Sequence, residues 1–275
     1  MSGTLPRILV FGAHPDDAEF HVGGLLSLYR DLDFTVKIIS VTNGAAGHYQ
    51  IAGDVLARRR LAEAQAASAL LGSIFEAWDY PDGQLEPSLD LRDQVIHEIR
   101  TFKPDLVLTH RPYDYHPDHR AVAQLVQDAS YMVTVPPIVP DTPILPRDPV
   151  VAYMPDLFTR PNPLRADVII DVTAQMDQIV QLLACHVSQV FEWMPFNQGM
   201  LDQVPGDVAA RLVWLRNWIE ALKQPYTERY QAPILEMYGQ ERGKGIAFVE
   251  VLEISEYATA LDPCNQRRLF PFVHS

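Results

Sequence analysis

Two short motifs built on His-Pro-Asp carry the side chains best suited to chemistry in this chain. They are His14-Pro15-Asp16-Asp17 and, much later, His116-Pro117-Asp118-His119, and each follows an apolar run. Imidazole and carboxylate groups bind metals and transfer protons. His14 and Asp17 are three residues apart, so at a helix start they face one point. His119 would complete a set of two imidazoles and one carboxylate.

This set of groups suits zinc. Catalytic zinc commonly has three protein ligands and an open position for water, whose pKa it lowers to roughly 7. Asp16 lies beside a ligand and points elsewhere, so it is the candidate to accept the proton of that water. His116 is the candidate to protonate a leaving group or to stabilise developing negative charge. The arrangement predicts metal-assisted hydrolysis.

Simpler explanations exist for each motif taken alone. A single His or Asp after a strand is usually a helix cap, a turn residue or a satisfied polar group, but two such motifs after two strands make coincidence improbable. A two-His, one-carboxylate set also serves non-haem iron oxygenases. The glycines near the first motif do not form GxGxxG, which disfavours a dinucleotide site. Asp16 and Asp17 would also repel a pyrophosphate.

Apolar runs and helical spacing alternate through the first half of the chain. Four candidate strands span residues 8–11, 36–41, 75–78 and 106–108, and helices are predicted between them. Continuous apolar runs of this length are typical of strands covered on both faces. The alternation predicts an α/β fold with a doubly wound, mostly parallel, Rossmann-like sheet and helices on both faces. In the common strand order 3-2-1-4, strands one and four are neighbours at the switch point, where ligands bind.

The second half of the chain is less regular. Residues 136–149 contain six prolines, so we expect an irregular loop there that forms a wall of the substrate site. Four further elements are predicted, namely strands at 168–170 and 246–254 and helices near 176–183 and 208–219. We expect one domain over residues 1–275, with a core in 1–190 and a C-terminal elaboration in 191–275.

The composition narrows the kinds of partner. A formal net charge of −13 disfavours nucleic acid and anionic membranes, both of which bind clustered Lys and Arg, and favours a neutral or cationic small molecule. No apolar run is long enough to span a membrane, and residues 1–6 lack a signal-peptide layout, so we expect a cytoplasmic protein. Cys185 and Cys264 indicate neither a thiolate zinc site nor a disulfide framework. Whether the chain forms a homo-oligomer stays open.

The two motifs together resemble the signature of the PIG-L/LmbE-like zinc-dependent N-acetylglucosaminyl deacetylase family. The resemblance covers most of the first 190 residues. The matching segments are Ala13-His14-Pro15-Asp16-Asp17-Ala18-Glu19, Gly23-Gly24, Arg60-Leu61-Ala62-Glu63, Leu71-Gly72, Pro81-Asp82-Gly83, His116-Pro117-Asp118-His119 and His186-Val187-Ser188-Gln189.

The resemblance implies a role for each residue of the motifs. His14, Asp17 and His119 would be ligands of zinc, or of another divalent metal. Asp16 would be the general base, and His116 would act on the tetrahedral intermediate. The activity implied is that of a metal-dependent N-deacetylase, an amidohydrolase that removes the acetyl group from an N-acetylglucosamine-type sugar or glycoside. The alternative is a catalytically altered sugar- or nucleotide-binding protein on the same fold.

Further residues follow from the resemblance with weaker support. Arg60 matches a substrate-binding arginine, although a surface ion pair with Glu63, one helical turn on, explains it nearly as well. Asp114 and Asp118 would orient the imidazoles, and His186 matches a histidine near the site. His21 departs from the family pattern, and it either approaches the metal or is an ordinary helix histidine.

Overall fold

Seven strands form the centre of the fold in the computed structural model, which describes residues 5–273. The strands are β1 Arg7–Gly12, β2 Thr35–Thr42, β3 Ile74–Tyr80, β4 Leu106–Thr109, β5 Val150–Tyr153, β6 Val168–Asp171 and β7 Val249–Ile254. Residues 1–4, which belong to the amino-terminal segment discussed above, lie outside the described residues. Within the described part of the chain, no helix is long and apolar enough to cross a bilayer.

The strands follow the order β3-β2-β1-β4-β5-β7-β6. Strands β1 to β5 pair in parallel wherever they are neighbours, whereas β7 runs antiparallel to both β5 and β6. The predicted doubly wound, mostly parallel sheet and its order 3-2-1-4 are therefore confirmed. Because β7 lies between β5 and β6, the last part of the chain is an integral part of the sheet.

Between residues 5 and 273, ten α-helices connect and flank these strands. They are α1 Asp17–Asp31, α2 Gly53–Leu71, α3 Leu89–Phe102, α4 Pro117–Met132, α5 Met176–Cys185, α6 Met194–Asn197, α7 Val208–Arg229, α8 Gln231–Tyr238, α9 Gln240–Gly243 and α10 Pro263–Leu269. A π-helical turn, Gln189–Trp193, precedes α6. Both faces of β1 are covered: Ile8 and Val10 pack into the core beneath α1 and α5, and Leu9 and Phe11 into the core beneath α3 and α4.

Helix α1 is broken one turn and a half after it begins. Val22 has φ −134° and ψ 23°, and the helix restarts with Gly24 and Leu25, whose backbone N–H groups donate to the carboxylate of Glu250 at 3.0 and 2.8 Å. Lys223 of α7 lies 3.0 Å from the same carboxylate. A buried ion pair from the C-terminal region thus caps the second half of α1, the helix that begins with Asp17.

In the middle of the chain one strand was not predicted, and one expectation was wrong. The sequence did not indicate β5, because its four residues directly follow Pro149 and merge with the proline-rich segment. That segment is an irregular loop as predicted, but none of its residues lines the crevice that holds the two motifs. Instead, the fully buried guanidinium of Arg100 binds it and the end of α4 by donating to six carbonyl oxygens, those of Met132, Val133, Val135, Ile138, Val139 and Thr142.

Candidate active site

The two His-Pro-Asp motifs meet in one crevice at the carboxyl edge of the sheet. The first follows β1 and the second follows β4, and these strands are hydrogen-bonded neighbours. The crevice has a volume of about 480 Å³. This crevice is lined by six of the site residues that the sequence predicts, namely His14, Asp16, Asp17, Arg60, His116 and His119. Parallel strands ending side by side therefore bring together residues that lie far apart in the sequence.

The side chains of His14, Asp17 and His119 face one another at short range. Nδ1 of His14 lies 3.2 Å from Nε2 of His119, and that Nε2 lies 3.4 Å from Oδ1 of Asp17. Nδ1 of His14 is 3.7 Å from Oδ2 of Asp17. Tetrahedral ligands bound at about 2.0–2.2 Å lie about 3.3–3.6 Å apart. The three side chains therefore suit a single divalent metal ion in their chemistry, and the two distances from Nε2 of His119 are close to this spacing.

The outer nitrogens of the two histidines face carboxylates at short distance. Nδ1 of His119 lies 3.1 Å from Asp114, and Nε2 of His14 lies 3.3 Å from Asp118. Asp118 also accepts the backbone N–H groups of Gly83 and Leu85. The predicted orienting partners are thus in place to fix which nitrogen of each ring faces the crevice.

Asp16 and Arg60 form a buried pair beside this cluster. Nη2 of Arg60 donates to Oδ1 of Asp16 at 2.9 Å, and the two side chains are only 4% and 5% exposed. Nη1 of Arg60 donates to the carbonyl oxygen of Gly44. Arg60 does not pair with Glu63, which instead accepts from its neighbour Arg59. The alternative of a surface ion pair for Arg60 is therefore wrong, because the side chain turns inward.

His116 caps α4 while its ring faces the crevice. Its Nδ1 accepts the backbone N–H of Asp118, so a neutral ring carries its proton on Nε2. Burial, together with the neighbouring His14 and His119, lowers the pKa of His116. The ring packs edge-on against His14, with centroids 4.5 Å apart. His116 is thus suited to donate a hydrogen bond from Nε2 without carrying a charge.

Two buried side chains of the site were missed from the sequence. Asp82, after β3, lies 3.3 Å from Nε2 of His14, and His110, directly after β4, lies 3.0 Å from Oδ2 of Asp17. Each follows a strand of the same sheet edge, which is the signal that would have found it. Asp82 belongs to the matching segment Pro81-Asp82-Gly83, but the resemblance implies no role for it.

His186 and His21 lie at the margin of the cluster. His186 is buried, and its Nε2 is 3.5 Å from Glu19, behind the crevice. His21 lines the crevice, but Nδ1 bonds the carbonyl oxygen of Pro155 at 2.9 Å. Ring nitrogens of His21, His110 and His119 also lie within 4.8 Å of one another. Because the rings of His110 and His119 are nearly parallel, at 16°, they cannot share an ion, which must lie near the plane of each imidazole that binds it.

The buried charges favour positive charge at the centre of the cluster. Burial lowers the pKa of His119, but Asp17 and Asp114 outweigh it and raise the pKa to about 9. Burial raises the pKa of Asp17, but His119 and His110 hold it well below its ordinary value. Burial likewise opposes the ionisation of Asp82, yet His14 lowers its pKa to about 2. The carboxylates thus stay ionised, and a divalent cation bound among them would neutralise their negative charge.

Comparisons with known proteins fit the fold and the crevice. Over 201 residues the chain is 26% identical to diacetylchitobiose deacetylase of Thermococcus kodakarensis, covering 69% of this chain and 74% of the relative. Over 207 residues it is 25% identical to 4-oxalmesaconate hydratase of Pseudomonas putida, covering 71% and 78%. The solved structure of N,N'-diacetylchitobiose deacetylase from Pyrococcus horikoshii superposes with a TM-score of 0.70 at 21% identity, covering 92% of this chain and 84% of that one.

The fold and the His/Asp cluster define an α/β protein with a candidate metal-dependent active site at its switch point. Residues 9–130, which contain both motifs, match the family described as "PIG-L: GlcNAc-PI de-N-acetylase". The resemblance to the PIG-L family predicted from the sequence is confirmed over this region, which is a little under half of the chain. The deacetylases among its relatives support the prediction that it is a hydrolytic enzyme acting on amide bonds.

Proposed function

We propose that this chain is a metal-dependent N-deacetylase that hydrolyses the acetamide of an N-acetylglucosamine-type sugar or glycoside. One observation carries the proposal: His14, Asp17 and His119 face one another at 3.2–3.7 Å in the crevice that also holds Asp16. The diacetylchitobiose deacetylase relative supports the sugar, and the deacetylase relatives support the reaction.

His14, Asp17 and His119 would hold the metal, for which zinc is the first choice because its usual catalytic ligand sets combine imidazoles with one carboxylate. When bound, the ion would supply Lewis acidity that polarises the acyl oxygen and lowers the pKa of water. Asp114 and Asp118 keep the two imidazoles oriented towards it.

Asp16 moves the proton in this scheme. Arg60 occupies Oδ1 of Asp16, and no residue between 5 and 273 hydrogen-bonds to Oδ2, so Oδ2 is the oxygen available to reactants. Oδ2 accepts a proton from the attacking water as the water oxygen bonds to the acyl carbon. The same carboxyl then gives the proton to the amide nitrogen as the C–N bond breaks. The second proton of the water stays on the new carboxyl group, so the step yields acetic acid and the free amine, which become acetate and the ammonium ion by proton transfer; atoms and charge balance.

His116 acts on the acyl oxygen. Nε2–H of its neutral ring donates a hydrogen bond to the oxygen as negative charge develops there. The donation is aimed by the backbone of α4, which holds Nδ1. His116 thus stabilises the transition state while Asp16 transfers the proton.

The lining of the crevice favours a neutral substrate. Arg60 is the one Lys or Arg side chain among the described residues that line it, and its hydrogen bonds go to Asp16 and Gly44. Trp193 and Phe20 give apolar surface on which the C–H face of a sugar packs. Arg60 still reaches the crevice, so its predicted contact with substrate remains part of the proposal. A substrate with several carboxylates, such as the oxalmesaconate of the hydratase relative, would meet Asp16 and Asp82, with no Lys or Arg side chain among the lining residues free to pair with it.

The test is a paired assay on chelator-treated chain before and after addition of zinc. We expect acetate release from N-acetylglucosamine, diacetylchitobiose or their methyl glycosides only in the zinc-loaded protein. His119→Ala should bind less than one equivalent of zinc and lose this activity. Zinc-dependent hydration of 4-oxalmesaconate without acetate release would replace the proposal with a hydratase. Tight sugar binding with no turnover of any substrate would favour the altered binding protein.

A further inference from the structure

His110 contacts two of the proposed metal ligands, although it belongs to neither motif. Its side chain is 1% exposed, and Nε2 lies 3.0 Å from Oδ2 of Asp17. Its ring stacks on that of His119 with centroids 3.9 Å apart. The chemistry proposed above gives His110 no role, so the purpose of these contacts is unexplained.

The two oxygens of Asp17 have different surroundings. Oδ2 lies within hydrogen-bond distance of three nitrogens: Ala13 N at 2.7 Å, His14 N at 2.8 Å and Nε2 of His110 at 3.0 Å. Three donors exceed the two lone pairs of one oxygen. Oδ1 instead faces Nε2 of His119 at 3.4 Å. Oδ1 is therefore the oxygen left for a metal ion.

The neighbours of His110 also fix which of its nitrogens carries the proton. A lone pair on Nε2 would face a carboxylate oxygen at 3.0 Å and repel it, whereas an N–H donates to it. Ala13 N, which is 3.2 Å from the same Nε2, has its shorter bond to Asp17. His110 thus donates to Asp17, and its stacking on His119 prevents it from joining the same ion.

We propose that His110 is a positioning residue that holds Asp17 in a one-oxygen binding mode, keeping a coordination position of the metal open. The inference rests on the proposed function, because it takes Asp17 as a ligand. Without the side-chain donor from His110, the carboxylate of Asp17 is held by the two backbone N–H groups alone, so it can rotate and bring Oδ2 towards the ion. A second bound oxygen would fill the position that the reactants need.

Three variants separate this role from a packing role. His110→Gln places an amide N–H near the position of Nε2, whereas the side chain of His110→Asn is too short and His110→Leu has no donor. His97→Gln is the matched control, since His97 lies on α3 and bonds Thr142. Each chain is loaded with Co²⁺, and its visible absorption, its Co²⁺ affinity by chelator competition, and its kcat and KM are measured. Thermal melts of the metal-free chains check folding.

We expect His110→Leu and His110→Asn to weaken Co²⁺ affinity by about 10–100-fold. We also expect them to lower the intensity of the visible bands, as a higher coordination number does, and to reduce kcat more than they raise KM. His110→Gln should restore most of the spectrum and the affinity, and His97→Gln should match the wild type. Should the Leu variant unfold, the comparison of Asn with Gln decides.

Wild-type spectra and affinity in His110→Asn, or equal defects in the Asn and Gln variants, would overturn the inference. Failure of the proposed function is distinct, since a wild-type chain that binds Co²⁺ yet releases no acetate would end the deacetylase proposal while the spectra still test His110. A wild-type chain that binds no Co²⁺ would overturn both.

Discussion

Replacing Arg60 by Met tests whether its buried pair with Asp16 organises the site. The two side chains are 4% and 5% exposed, and Nη2 lies 2.9 Å from Oδ1. Removing one partner of a buried ion pair leaves the other charge uncompensated, at a cost of about 3–5 kcal/mol in the free energy of unfolding. For 275 residues the entropy of unfolding is about 0.6 kcal/mol/K, so this loss lowers Tm by about 5–9 °C.

The adjacent Arg59 provides the control. It pairs with Glu192 at 2.6 Å, but the two side chains are 33% and 30% exposed. An ion pair exposed to this extent contributes at most about 1 kcal/mol, so Arg59→Met should lower Tm by less than about 2 °C. Two neighbouring arginines on one helix therefore differ several-fold in their predicted effect.

Differential scanning calorimetry of the chelator-treated chains measures these shifts. Asp82, 3.7 Å from Nη1 of Arg60, still faces His14 in the variant, so Asp16 is the carboxylate left without its partner. Adding Asp16→Asn to Arg60→Met removes that charge, so the double variant should regain at least half of the lost stability while activity stays absent. Equal shifts for the Arg59 and Arg60 variants would refute the reasoning. So would a double variant less stable than Arg60→Met alone.

Three further changes test other parts of the structure. A Cβ on Gly24 would lie 2.5 Å from Cγ1 of Val172, whereas one on Gly23 meets nothing closer than 3.7 Å. In urea melts Gly24→Ala should therefore lower the free energy of unfolding by about 1–3 kcal/mol. Gly23→Ala should leave it unchanged or raise it by up to about 1 kcal/mol. Equal unfolding free energies for the two variants would contradict the packing of α1. Arg100→Met leaves buried carbonyl oxygens without donors, so it should lower the free energy of unfolding by at least about 3 kcal/mol in the same melts. A nearly unchanged free energy would argue against the six hydrogen bonds. His116→Ala should keep the metal but lower kcat by about 10²–10³-fold, and full turnover would leave His116 only its capping role.

The sequence indicates the sheet and the two motifs for a physical reason. Strands β1, β2 and β4 are buried on both faces, so they appear as continuous apolar runs. The motifs lie in the segments that follow β1 and β4, and the parallel topology places both segments at the same edge of the sheet. These features are local, or follow from the order of a few strands.

The residues that were missed or misjudged depend on tertiary structure. Nothing near Arg60 in the sequence shows that it turns towards Asp16 rather than Glu63, since both lie within reach of its long side chain. His110 and Asp82 are single polar residues after strands, and only the sheet order β3-β2-β1-β4 brings them to the first motif. The proline-rich loop lies away from the crevice because Arg100 binds it, and no pattern in the sequence shows that contact.

In the proposed reaction, Asp16 transfers the proton while His14, Asp17 and His119 hold the metal. Its most direct test is the zinc content and the acetate release of Asp16→Asn, measured beside the wild type. We expect one zinc per chain in both proteins and a kcat lowered by about 10²–10⁴-fold in the variant, because the base is lost and the ligands remain. Loss of zinc from the variant, or acetate release at the wild-type rate, would contradict it.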